Sequence, residues 1–128
     1  MKTGISIHTL LVNNAACYAQ LATRVYPIAA PPNPTLPYVT YEVTDTEPEE
    51  HKGNTEVDRV RVEVVAYSNT YETAANLGVL IREALDRQTY TDANINVRGI
   101  YYEDTAIQTL DTPRRFATVV RVVVHQFR

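Results

Sequence analysis

RVRVEVVAYSNTYETAANLGVLIREAL, Arg59 to Leu85, decides how this chain folds. Its first nine residues alternate. Val60, Val62, Val64 and Ala66 fall on one side, and Arg59, Arg61, Glu63 and Tyr67 on the other, with Val65 the exception. A period of two marks a strand with one buried face. The period then lengthens. Ala74, Leu77, Ile81 and Ala84 recur in steps of three and four, joined by Leu80 and Leu85, which predicts an amphipathic helix over 70–87. The turn SNTYE separates the two. Asn69 is placed to cap the helix, with Glu72 three positions on completing a capping box.

Outward from this unit, YVTYEV at 38–43 alternates and is rich in β-branched and aromatic residues, as a strand is. NINVRGIYYED at 94–104 reads as a third strand and FATVVRVVVHQF at 116–127 as a fourth. The fourth is apolar on nearly both faces in its second half, Arg121 excepted, as a central strand or one covered by a partner would be. Ile7, Leu10, Leu11, Asn14 and Ala15 predict one helix over 5–21, with a break near Asn13–Asn14. Five prolines between Pro27 and Pro37 make that segment irregular and extended. Without ordered PxxP repetition in a flexible tail it reads as a connector, not a peptide ligand. The element order is α-β-β-α-β-β. It predicts one α+β domain over 1–128, with a single antiparallel four-stranded sheet and its helices on one face. A parallel sheet would need crossover helices, and 44–58 is a poor helix.

That segment, TDTEPEEHKGNTEVD, is the most acidic in the chain. Residues 45–58 hold Asp45, Glu47, Glu49, Glu50, Glu56 and Asp58 against Lys52 alone, a local charge of −5 in a chain of net charge −3. The remainder is slightly basic. Acids without apolar anchors repel one another and bury nothing, so the segment reads as a long hairpin loop, mobile over 45–55.

The 128 residues suffice for a real core, and an apolar content of 45% fits a globular chain. No basic stripe suggests nucleic-acid binding, and no apolar run approaches the length of a membrane span. The N-terminal run is interrupted by Asn13 and Asn14 and reads as part of the fold, not a signal peptide. The single cysteine, Cys17, offers no intrachain disulfide and fits a reducing compartment.

The residues offer little catalytic chemistry. His8, His51 and His125 lack ligand spacing, and Cys17 reads as a small buried hydrophobe. Glu103, Asp104 and Asp111 read as solvated hairpin residues. Glu49–Glu50 lacks the calcium-loop pattern, and Gly53, Gly78 and Gly99 form no phosphate loop. The expectation is no enzyme, no cofactor and no metal site. Arg114–Arg115 is a basic pair suited to an acidic partner.

The chain resembles the tail completion, or tail terminator, proteins of long-tailed bacteriophages and related prophages. The likeness runs through RVYP at Arg24–Pro27, LPYVTYEV at Leu36–Val43 and a variable insert. It continues through Arg59–Leu85, an acidic stretch around Glu103–Asp111, and Arg114–Arg115–Phe116 leading into a valine-rich last strand. The resemblance implies a structural virion protein, assembled in the bacterial host, with no catalytic residue or cofactor. It implies a ring, usually a hexamer, that caps the head-proximal end of the tail tube. Its partners are then itself, the tube protein and the head connector or a neck protein, with neither membrane nor sequence-specific nucleic acid. Glu47, Glu49, Glu50, Arg59, Arg61, Arg114, Arg115 and Arg121 are the expected assembly contacts, the acids of one copy steering onto the bases of a neighbour. The alternatives are another phage neck or minor tail protein, a small stand-alone enzyme or ligand-binding α+β domain, and a regulatory or nucleic-acid-binding module. Clustered side chains with shifted titration in a pocket would support the enzyme, and a basic stripe the nucleic-acid binder.

Overall fold

The computed structural model describes residues 3–21, 24–32, 35–51, 54–91, 95–111 and 114–127; within these, the side chains of 48–51, 54–56, 110–111 and 114 are left undescribed. The elements are α1 (Thr3–Asn13), α2 (Ala15–Leu21), β1 (Val25–Pro27), β2 (Tyr38–His51), β3 (Asn54–Ser68), α3 (Tyr71–Leu85), β4 (Tyr90–Thr91), β5 (Asn96–Asp111) and β6 (Arg114–Phe127).

The sheet is six-stranded and mixed, in the order β1-β2-β3-β6-β5-β4. The expected four-stranded, wholly antiparallel sheet in the order α-β-β-α-β-β is therefore wrong. β1 lies parallel to β2, pairing Val25 with Val39 and Pro27 with Tyr41, whereas the other neighbours are antiparallel. The two additional strands have three and two residues. Neither is long enough to display a period of two, and β1 ends on a proline inside the proline-rich connector.

The acidic segment is the second correction. It is strand, not loop, on both sides of the hairpin: β2 continues to His51 and β3 begins at Asn54, with Asp45 opposite Arg61 and Glu47 opposite Arg59. Lys52 and Gly53, at the centre of the segment expected to be mobile, lie outside the described residues. The local charge of −5 over 45–58 stops one residue short of Arg59 and Arg61. Across the ladder Asp45 and Glu47 face these two bases, and opposite charges at paired positions stabilise a sheet.

Helix ends follow side-chain chemistry. The expected 5–21 helix is two helices, because Asn14 accepts the Cys17 N–H at 3.1 Å and so caps α2. α3 is capped by Thr70, not Asn69: Thr70 is extended, with φ −131°, and its hydroxyl accepts from the Thr73 N–H. At the other end Arg87, with φ 62°, takes the left-handed conformation that terminates many helices, and its N–H reaches Ile100 O at 2.6 Å.

The core lies between the helices and one sheet face. Val60, Val62, Val64 and Ala66 of β3 and Val120, Val122 and Val124 of β6 are buried there with Ile7, Leu11, Leu77 and Ile81. Two glycines allow close approach. A Cβ on Gly78 of α3 would sit 2.8 Å from Thr118 Cγ2, and one on Gly4 of α1 2.9 Å from the Tyr41 ring.

Candidate functional site

Register orders the sheet face away from the core into ranks. Tyr38, Tyr67, Ala117 and Gln108 form one; Thr40, Val65, Val119 and Ala106 the next; then Glu42, Glu63, Arg121 and Asp104; Asp45, Arg61, Val123 and Tyr101; Glu47, Arg59, His125 and Gly99. One end of this face is aromatic and small, and the middle is charged.

The charges pair within the chain. Arg61 Nη1 donates to Asp45 at 2.7 Å and lies 3.7 Å from Glu47, and Arg59 Nη2 donates to Glu47 at 3.1 Å. Arg121 spans its rank, with Nη1 3.0 Å from Asp104 and Nε 3.4 Å from Glu63. The bond to Asp45 holds the Arg61 guanidinium pKa above its ordinary value, with Glu47 adding to it. Asp104 does the same for Arg121. Arg115 stands apart at the aromatic end: its Nη1 donates to the Tyr38 hydroxyl at 3.2 Å, and its guanidinium lies 5.8 Å from the Tyr67 ring centre. Tyr38 and Tyr67 stack at 4.8 Å. Burial pushes the Tyr38 hydroxyl pKa up, and Arg115 opposes the shift.

Of the eight expected contact residues, the structure brings Glu47, Arg59 and Arg61 into one ion-pair ladder and leaves Arg121 and Arg115 in separate clusters. The side chains of Glu49, Glu50 and Arg114 lie outside the described ones, although their backbones are in strands. Sequence reasoning missed Asp45, Glu63 and Asp104 as the partners. Register is the missing signal: a bulge at Thr44 and another at Glu103 shift the parity by which Asp45 and Asp104 reach this face.

Of the other candidates, the side chains of His51 and Asp111 lie outside the described ones, and Cys17, His8 and His125 are packed against neighbours. Cys17 is buried with Sγ 3.5 Å from Leu80 O, and burial, with Glu83 adding, pushes its thiol up to about 11. His8 meets the Tyr41 ring at 6.2 Å and His125 the Tyr101 ring at 5.1 Å, both edge-on. Among the described residues no three His, Cys, Asp or Glu side chains are grouped to hold a metal, and no helix is long and apolar enough to cross a membrane.

The sheet edges differ from its middle. Beyond β2, β1 covers only Val39 to Tyr41. Beyond β5, β4 covers only Asn96 and Val97, while 86–88 add bonds to Ile100 and to the Tyr102 N–H. Among the described residues, 43–51 of β2 and 103–111 of β5 have no strand outside them.

One helical layer over one mixed sheet, with charged and unfinished strand surfaces, defines an α+β module. Its family follows from the sequence. The family described as "Tail completion protein gp17" matches residues 5–125, and the chain belongs to it: it is a phage structural tail protein. A chain in a solved structure described as "Virion of native gene transfer agent (GTA) particle" has the same fold, with a TM-score of 0.81 over 95% of this chain and 92% of that one, at 16% identity. No curated protein matches the chain.

Proposed function

We propose that this protein is a tail terminator: a closed homo-oligomeric ring, six-fold, that caps the head-proximal end of the tail tube and presents a surface to the head connector. The six-fold number comes from the family resemblance. The virion source of the structural neighbour supports a place in a virion.

The observation that carries the ring is the stepping of the two sheet edges. On one edge β1 projects at the Tyr38 end and β2 is bare towards His51. On the other, β4 and 86–88 project at the Asn96 end, and β5 is bare towards Asp111. Side by side at one level, the projecting part of each edge meets the bare part of the other. Bare strand edges are sticky, and covering them with a neighbour's edge removes the hazard. The contact is heterologous, so it repeats head to tail, and a rotation that closes on itself makes it a ring rather than a filament. Glu47, Glu49 and Glu50 on the β2 side, and Arg114 and Arg115 beside β5, are the charges that steer docking onto neighbour, tube or connector.

The test adds purified protein to tail tubes lacking a terminator and images their ends. Capped tubes that join heads are expected. Uncapped ends that never join heads overturn the reading. Reversing the charges of Glu47, Glu49 and Glu50 together is expected to weaken joining, more at low salt than at high. Unchanged joining removes these acids from the mechanism and leaves the ring.

A further inference from the structure

Ile28 is an anomaly. It follows β1 with φ 64°, a conformation that crowds any Cβ and suits a β-branched residue least. The Ala29 N–H turns back to Pro27 O at 2.6 Å, and the Ile28 N–H is fixed on Tyr41 O at 2.8 Å. The strained turn does not serve burial: Ile28 is 71% exposed. Glycine or asparagine would make this turn without strain. An isoleucine held out in solvent at such a turn is placed for contact, because strain of this kind persists where a surface needs it.

A receptor exists on the opposite edge of the same sheet. Gly78, Val79 and Arg82 of α3 and Tyr102, Thr105 and Ile107 of β5 line an open groove of about 210 Å³. Val79 is 56% exposed on its wall, and Ile107 is exposed too. The groove exists because Gly78 lacks a side chain where α3 meets Thr118 and Thr105.

Projection and groove stand at the same level. Tyr41, which holds Ile28, lies in one cross-strand rank with Val64, Val120 and Thr105, and Thr105 lines the groove. Arg82 borders the groove with its guanidinium 4.0 Å from the Tyr102 ring centre. We propose that Ile28 of one copy inserts into the α3–β5 groove of the next copy. The inference rests on the ring reading and names the seam within it. A projection at one edge and its receptor at the other, on one level, make a head-to-tail contact that repeats around an axis.

Cross-linking tests the seam. The native Cys17 is buried, so new surface cysteines report alone. The Ile28→Cys and Val79→Cys proteins are incubated at high concentration or on tube ends with a short bis-maleimide. Each alone is expected to give no cross-linked dimer. Their mixture is expected to give heterodimers, and the double variant a ladder ending at the ring's copy number. Ile28→Asp is expected to raise the assembly midpoint at least ten-fold. Ile28→Gly is the sharper variant, because it relieves the backbone and removes the projection: Tm is expected to rise while assembly weakens.

Cross-linking of Ile28→Cys to itself would show a two-fold contact and overturn the proposal. Rings of unchanged stability in Ile28→Asp and Ile28→Gly, without a mixed cross-link, would overturn it too while leaving the ring intact. Absence of any oligomer or capped end in the unmodified protein would overturn both.

Discussion

β6 carries valines on both of its faces, and the two sets meet different surroundings. Val120, Val122 and Val124 are wholly buried beneath the helices. Val123, between two of them in sequence, is only half-buried and shares its rank with Arg61, Asp45 and Tyr101. Ala117 and Val119 are an intermediate case: they lie on the open face yet are buried within the single chain, in ranks with Tyr67 and Val65. The difference teaches that an apolar residue's role here is set by what crosses its face. The two-sided apolar character of this strand does not by itself demand a partner, because part of the open face is already covered from within.

The strongest way to break the comparison is a charge on each face. Val122→Asp places a carboxylate in the core without a partner, a loss of several kcal/mol that a chain of this size cannot carry. It is expected to leave no cooperative unfolding transition in circular dichroism. Val123→Asp, one residue on, is expected to fold with a shift of about 1 kcal/mol or less in urea, as surface changes do. Equal effects of the two would mean that the open face is core after all.

Gly78→Ala probes how closely the covered face is sealed. Its Cβ would approach Thr118 Cγ2 to 2.8 Å, and Thr118 cannot turn aside without losing the 2.7 Å bond from its hydroxyl to Ala74 O. Alanine normally favours a helix over glycine by about 1 kcal/mol, so an exposed site would gain stability. Here overpacking is expected to win, with a net loss of about 1–3 kcal/mol in urea unfolding. A gain would show that α3 can lift from the sheet.

These contrasts mark what the sequence discloses. The faces of β3 and the stripe of α3 were legible because each period runs uninterrupted through Val60–Ala66 and Ala74–Ala84. The acidic arm was not. It is strand through ladder pairing that sets Asp45 opposite Arg61 and Glu47 opposite Arg59, and pairing is a property of register, which the bulge at Thr44 shifts by one residue. β1 and β4 were invisible because three and two residues carry no period. The contact residues were half legible. Arg59, Arg61 and Arg121 announced an exposed face, but their carboxylate partners lie on neighbouring strands. Ile28 gave no sign, since PIA contains none of the residues that usually mark positive φ.

The helical layer offers a pH test of the same burial. The Cys17 thiol titrates at about 11 in the fold against an ordinary 9.0, raised by burial and then by Glu83. Between those values the folded chain keeps a proton that the unfolded chain has lost. Stability from this group is therefore complete below pH 9 and declines as pH rises towards 11. The Tm of the native protein is expected to fall more steeply over that window than that of Cys17→Ala, whose lower starting stability is a separate offset. Parallel slopes would place the thiol in contact with water. Iodoacetamide at pH 8 is expected to label the native thiol far more slowly than the unfolded one.

The smallest effect lies on the open face, where Glu47 and Arg59 form an ion pair with both side chains 42% exposed. Water screens such a pair, and holding two long side chains in one geometry opposes it. Their cross-strand position opposes that loss, because paired backbones already bring the charges together. A double-mutant cycle with Glu47→Gln and Arg59→Gln is expected to give a coupling of about 0.2–1 kcal/mol at low salt, shrinking in 1 M salt. Arg59 Nε is buried without an acceptor among the described residues, so removing Arg59 also relieves an unsatisfied donor. The single Arg59 change is thus expected to be milder than the number of its contacts suggests, while the coupling still reports the pair. A coupling of several kcal/mol that ignores salt would show the arm to be sealed from water, and the contrast between the two faces would fail at this end of the sheet.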